Sequence, residues 1–218
     1  EPGGTIMTRT QSTGKSSARL LRFAAAAVLA TLATQGCSGE PDARDEAVTT
    51  LPTENITDAS FGCISDLTPV DRFFVGNLNG DLDATVAVAS AEEGGVYPVG
   101  SVVQLVPTEV MVKREAGFNP VTKDWEYFDL DISPEGTRIR VRGADEVKNR
   151  FGNSCQDCHV KAAPQFDLIC KTDHGCDPIP INDVMIRGLQ KTDPRCEAQP
   201  LTAEEAEGLK QLQAALGI

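Results

Sequence analysis

The sequence predicts an α+β fold, a mainly antiparallel sheet with flanking helices, on three observations. Four stretches of period-two apolar alternation lie close together between Ser101 and Arg142. One helical pattern precedes them and two follow. Turn residues divide the strands at intervals too short for crossover helices, which suits a meander of neighbouring strands.

Each element has its own signal. Asp81 or Asp83 can cap a helix through Ala84–Ala89 that stops at Gly94-Gly95. The strands are Ser101–Val106, Val110–Lys113, Trp125–Leu130 and Thr137–Arg142, separated by Pro107, the Gly117–Pro120 stretch and the Ser133–Gly136 turn. Asn182 can start a helix through Val184–Arg187. Thr202 with Glu205 forms a capping box for a last helix with the stripe Ala206, Leu209, Leu212, Leu216. The oxygen-rich Asn77, Asn79, Asp81, Asp83 run hints at a calcium loop, but Leu82 and Val88 stand where an EF-hand needs glycine and glutamate. A capped turn accounts for it better.

Composition narrows the function classes. The chain has 218 residues, 40% of them apolar, enough for one domain with tails. Its net charge of −12 argues against a nucleic-acid partner, because phosphate binding needs a basic face. From Met7 onward, Arg9, Lys15, Arg19 and Arg22 precede the apolar run Phe23–Ala33, as in an export signal. Gly36-Cys37 then resembles a lipobox, with Thr34 in place of the usual leucine. Residues 1–37 are therefore expected to be a lipoprotein-like export signal, with Cys37 lipidated and the chain tethered in the bacterial periplasm. Ordinary signal cleavage to a soluble periplasmic product is the alternative. Without residues 1–36, four of the 20 basic groups and one of the 32 acidic groups are lost, leaving a net −15. Residues 38–60 read as an acidic flexible tether, and 61–218 as a single domain with a helical C-terminal extension.

The chemistry concentrates in Cys155-Gln156-Asp157-Cys158-His159, the attachment signature of c-type haem. Two thiols on a tight turn reach the two vinyl groups of one porphyrin edge. A histidine directly after the second thiol can then bind iron as the proximal ligand. Thioether formation belongs to exported chains, and the signal supplies that condition. A zinc pair or a redox dithiol is the alternative; zinc needs further ligands and a dithiol has no need of the histidine. The expected cofactor is one covalent haem c, held by Cys155, Cys158 and His159, with the motif following the last strand.

Setting aside Cys37 and the haem pair leaves Cys63, Cys170, Cys176 and Cys196. Four cysteines permit three pairings. Cys170 and Cys176 flank a short loop and are the expected partners, leaving Cys63 to clip the start of the domain to Cys196. One or more free buried thiols is the alternative.

The other face of the iron decides function. His174, amid charge and glycine, reads as a surface side chain, and Met185 as core; they are nevertheless the candidate distal ligands. No methionine follows Met185, and a β-rich region precedes the motif, unlike a small helical electron carrier. An open distal site is expected.

The order of a helix, Tyr97-Pro98-Val99-Gly100-Ser101-Val102-Val103, Val110-Met111-Val112-Lys113, Asp124-Trp125-Glu126-Tyr127-Phe128, the haem motif, Ala162-Ala163 and Phe166-Asp167-Leu168 resembles the cytochrome P-460 and cytochrome c′-beta family over roughly residues 78–170. The resemblance implies an antiparallel β domain, often dimeric, with an open haem c that oxidises hydroxylamine or binds nitric oxide or carbon monoxide. Hydroxylamine-oxidising members tie the porphyrin to a lysine. Leu105 stands in that place here and is expected as a pocket wall, while Lys113 on the next strand is expected to point outward. The first expectation is thus a gas-binding c-type cytochrome. The alternatives are an electron-transfer cytochrome docking a redox partner protein and a hydroxylamine-type oxidoreductase.

Overall fold

The computed structural model describes residues 55–217, and six of its strands join in one antiparallel sheet whose spatial order follows the chain. These are β1 (Thr68–Val70), β2 (Phe73–Asn77), β3 (Ser101–Val106), β4 (Glu109–Lys113), β5 (Trp125–Ser133) and β6 (Gly136–Gly143). The helices are α1 (Leu82–Ser90), α2 (Cys155–His159), α3 (Asp183–Lys191) and α4 (Ala203–Leu216). The α+β class and the meander agree with the sequence. The export signal of residues 1–37, Cys37 and residues 38–54 of the expected tether lie outside the described residues. Among the described residues no helix is long and apolar enough to cross a membrane.

Two strands were not expected. β1 is three residues long and contains Pro69, which only an edge position accommodates without losing a ladder bond. β2 pairs β1 on one side and β3 on the other, and its short Phe-Phe-Val run gives no long alternation. Residues 55–60, expected in the tether, are tied down instead. Ile56 packs in the core, and Asp58 Oδ1 accepts the Ile139 amide at 2.8 Å.

Alternation along the strands builds two apolar layers. Val103, Met111, Trp125 and Tyr127 face one way, joined by Phe73, Tyr97 and Leu168. Val102, Val110, Val112 and Phe128 face the other, where Ile56 and Phe61 cover them. Phe61 and Phe128 meet with ring centroids 5.0 Å apart. Covering both faces explains why the middle strands are buried almost throughout, where an antiparallel sheet often leaves one face wet.

The helix caps follow the sequence with one exception. Thr202 and Glu205 form the capping box of α4, and the Asn182 side chain accepts the Met185 amide at the start of α3. Asp81 stands at the start of α1 without capping through its side chain. The preceding turn is held by Asn77, whose Oδ1 accepts the Asn79 amide and whose Nδ2 donates to Thr85 Oγ1. α3 and α4 pack closely at Gly188, where a Cβ would lie 2.9 Å from Leu209 Cγ.

Disulfides join Cys63 to Cys196 and Cys170 to Cys176, the pairing expected. Beside the first, the buried Asp193 carboxylate accepts the Ile64 amide at 3.0 Å and Arg195 Nη2 at 2.7 Å. Arg195 also donates to Thr137 Oγ1, Phe61 O and Pro107 O, so one ion pair links the N-terminal segment, two turns of the sheet and the C-terminal hairpin. Burial alone would raise the Asp193 pKa, but the hydrogen bonds from Arg195 and from the Ile64 amide outweigh it and hold the carboxyl below its ordinary value. A carboxyl lowered on folding contributes stability that is complete above its ordinary pKa and fades as pH falls through the lowered one. Asp193→Asn, which leaves a buried guanidinium without its anion, should cost about 3 kcal/mol in urea denaturation at neutral pH. The variant should also lose part of the wild-type decline in stability between neutral and acidic pH.

Candidate functional site

The connection from β6 to the Cys155–His159 helix is a tight return. Asn149 Oδ1 accepts the amides of Phe151 and Asn153, and Lys148 bridges Ser154. Ser154 then caps α2 by accepting the Asp157 amide, so the helix begins at Cys155. Spacing of three residues puts Cys155 and Cys158 on one side of the helix, a turn apart. Among the six described cysteines these two alone are free thiols.

The X positions of the motif are not equivalent. Asp157 is exposed, whereas Gln156 is buried and fixes the helix to the sheet. Its Oε1 accepts the Tyr127 hydroxyl at 2.8 Å and its Nε2 donates to Val121 O at 3.2 Å. Burial, then the neighbouring Cys155 and Cys158, raise the Tyr127 phenol well above its ordinary pKa, so it stays a donor. The sequence analysis did not single out Gln156 or Tyr127 as site residues. Tyr127 was visible there only as a residue of the Trp125–Leu130 strand and of the segment that carries the resemblance.

His159 is held in one tautomer. Its Nδ1 lies 2.7 Å from Leu168 O. A carbonyl can only accept, so Nδ1 carries the proton and Nε2 keeps its lone pair. Burial lowers the imidazole pKa, partly offset by that hydrogen bond, which favours the neutral ring. The Tyr127 ring lies 5.5 Å from it, centroid to centroid.

Cys155, Cys158 and His159 line a cavity of about 640 Å³, within the range of ligand and cofactor sites. Its sheet wall comprises Phe73, Val103, Leu105, Met111 and Tyr127. Leu105 stands at a bulge between Gln104 and Val106, a feature that re-aims a side chain. The carbonyl freed there accepts from Gln190 Nε2 at 2.8 Å. Leu212 and Leu216 of α4 and the Cys170–Cys176 bridge complete other sides. Glu109 brings a carboxyl to the same cavity, its pKa raised by burial against the opposing effect of Arg150. Burial, then Glu109 and Cys158, push the Cys155 thiol up to about 12; burial also raises Cys158.

The two candidate distal ligands lie elsewhere. His174 stacks on Phe166 with centroids 3.4 Å apart, its Nδ1 lies 2.9 Å from Ile169 O, and it is not among the cavity residues. Met185 is also absent from the cavity lining and packs against Gly208 of α4.

Lys113 corrects an expectation. It is 6% exposed, not an outward charge, and its Nζ donates to both carboxylate oxygens of Asp167 at 2.8 and 3.0 Å. Asp167 Oδ2 also accepts the Tyr97 amide at 3.0 Å, and Asp167 O accepts Trp125 Nε1 at 2.7 Å. Asp167 and Leu168 both adopt left-handed φ, +50° and +66°, at a cost of about 1–3 kcal/mol each unless the surroundings compel it. The loop after α1 comes close to the turn before them. A Cβ on Gly94 would meet Gln165 O at 2.3 Å, which requires glycine there.

No protein-family model, curated protein or solved structure matches the chain. The site brings together two unpaired thiols one turn apart, an imidazole whose Nδ1 is bonded to a carbonyl, and a large, mainly apolar cavity beside them. Tyr127→Phe would leave buried Gln156 Oε1 without its donor. It should lower stability by about 1–2 kcal/mol in chemical denaturation, with the sheet signature in circular dichroism retained.

Proposed function

We propose that the chain is an exported monohaem c-type cytochrome of the cytochrome P-460 and cytochrome c′-beta kind, which binds a small gas ligand such as nitric oxide or carbon monoxide. The observation that carries this reading is the meeting of Cys155, Cys158 and His159 on one large, mainly apolar cavity, with His174 and Met185 outside it. Cys155 and Cys158 would hold the porphyrin as thioethers, and His159 Nε2 would hold the iron. When bound, the haem supplies an iron coordination position for a diatomic ligand.

The chain's own residues do the rest. The Leu168 carbonyl keeps His159 Nδ1 protonated and limits rotation of the ring. Val103, Leu105 and Met111 give the sheet wall of the cavity an apolar centre. Leucine at 105 offers no amine for a porphyrin cross-link, which favours gas binding over hydroxylamine oxidation. A six-coordinate electron carrier would need His174 or Met185 to leave its present packing. Zinc would need more donors, and no group of three or more His, Cys, Asp or Glu suited to a metal ion occurs among the described residues.

Full-length protein exported by a host competent in cytochrome maturation should be coloured, with a c-type pyridine haemochrome spectrum. The Cys155→Ala/Cys158→Ala double variant should lose the covalent attachment. Carbon monoxide should shift the Soret band of the reduced protein, and His174→Ala or Met185→Ala should leave the spectra unchanged. Colourless wild-type protein with alkylatable Cys155 and Cys158 would sink the haem assignment. A low-spin spectrum indifferent to gas, becoming high-spin in His174→Ala or Met185→Ala, would replace gas binding by electron transfer.

A further inference from the structure

We infer that Asp167 and Lys113 are positioning residues for His159, acting through the Leu168 carbonyl that accepts the Nδ1 proton. The inference rests on the haem reading above and adds to it the device that sets the donor strength of the axial imidazole. Leu168 has no side-chain role in this; its carbonyl matters, and the residues on both sides hold it. On one side, Asp167 is fixed through its carboxylate by Lys113 Nζ and the Tyr97 amide, and through its carbonyl by Trp125 Nε1. On the other, the Ile169 amide donates to Phe166 O at 2.9 Å, and Ile169 O lies 2.9 Å from His174 Nδ1.

The holding groups come from separate parts of the chain. Lys113 ends β4, Trp125 opens β5 directly opposite it, and Tyr97 precedes β3. Lys113 Nζ makes a third bond, to Lys123 O at 2.7 Å, and lies 5.2 Å from the centre of the Trp125 ring. The ammonium therefore cannot follow Asp167 if the turn shifts, because its other partners belong to β5 and to the connection that leads into it. A buried ion pair is a poor means of gaining stability compared with apolar packing, but it punishes displacement of either partner. Here displacement would carry the Leu168 carbonyl away from His159.

A strong Nδ1–H···O bond raises the electron donation of an imidazole ligand, and outer-sphere partners of this kind tune the metal they do not touch. Loosening the carbonyl should weaken donation from Nε2, favour ferrous over ferric iron and soften the iron–histidine bond.

The test uses the exported, haem-loaded full chain and three variants: Asp167→Asn, Trp125→Phe and Lys113→Arg. Trp125→Phe removes one hydrogen bond and keeps an aromatic ring, so it decides the matter if Asp167→Asn does not fold. The measurements are the iron–histidine stretching band of the ferrous protein by resonance Raman and the midpoint potential. Asp167→Asn and Trp125→Phe should lower the stretching frequency and raise the potential, while Lys113→Arg, which keeps the cation, stays nearer wild type. If the variants carry haem and melt earlier yet keep the wild-type band and potential, the node is only structural and the inference falls while the haem reading stands. Colourless wild-type protein would overturn the haem reading, and this inference with it.

Discussion

A single buried carboxylate, that of Asp167, ties the turn after the Cys155–His159 helix to the β domain. It is 3% exposed, and an ion in that position is tolerable only with its donors in place. Lys113 and the Tyr97 amide supply them. Because those donors belong to the sheet and to the loop leading into it, the turn after the Cys155–His159 helix cannot move independently of the β domain. The left-handed conformation of Asp167 and Leu168 is the local cost of directing one carbonyl to His159. Sheet packing and site geometry are thus one problem with one solution.

The cavity follows from how the sheet face is shared. α1, Tyr97 and the Asp167 turn cover the part of the face formed by Val75, Trp125 and their neighbours, and this region packs solidly. Towards the β3–β4 turn, beyond Leu105 and Met111, the cover comes from α2, the Cys170–Cys176 loop and the α3–α4 hairpin, and there a void remains. The hairpin is anchored independently, by the Cys63–Cys196 bridge and the Asp193–Arg195 pair. A roof fixed at its own edges need not collapse onto the floor, so a cavity with leucine, valine and methionine on its floor and charged groups such as Glu109 and Arg150 in its lining can persist. The bulge at Leu105 belongs to the same arrangement, because Gln190 of the hairpin takes up the carbonyl that the ladder loses.

Much of this was legible before any coordinates. Period-two alternation located β3 to β6, and cap chemistry located the starts of α3 and α4, because both signals are local and strong. The disulfide pairing followed from loop length and elimination. β1 and β2 escaped because a three-residue edge strand containing Pro69 and a five-residue aromatic run carry too little period to read. Lys113 was misjudged for another reason. Alternation assigns it the same face as Met111, an inward face, but a lysine there is counted as outward unless its anion is known. That anion stands 54 positions further along the chain. Nothing local in Phe166-Asp167-Leu168 marks it as a partner. The same limit applies to Gln156, whose burial depends on Tyr127 and on the Val121 carbonyl.

The pair of thiols on α2 admits two chemistries, a redox dithiol and the thioethers proposed above. A redox dithiol works as a thiolate, so it benefits from exposure or a nearby cation. Burial is the largest influence on both Cys155 and Cys158 and favours the neutral thiols, although the Lys161 ammonium opposes it at Cys158. The adjoining imidazole is held in one tautomer. Its proton is committed to the Leu168 carbonyl on Nδ1, leaving Nε2 with its lone pair beside the cavity. Such a nitrogen keeps its lone pair available to an electron-pair acceptor. It is suited to an electrophile brought in by something that fills the cavity, and a porphyrin joined to both sulfurs would bring one to it.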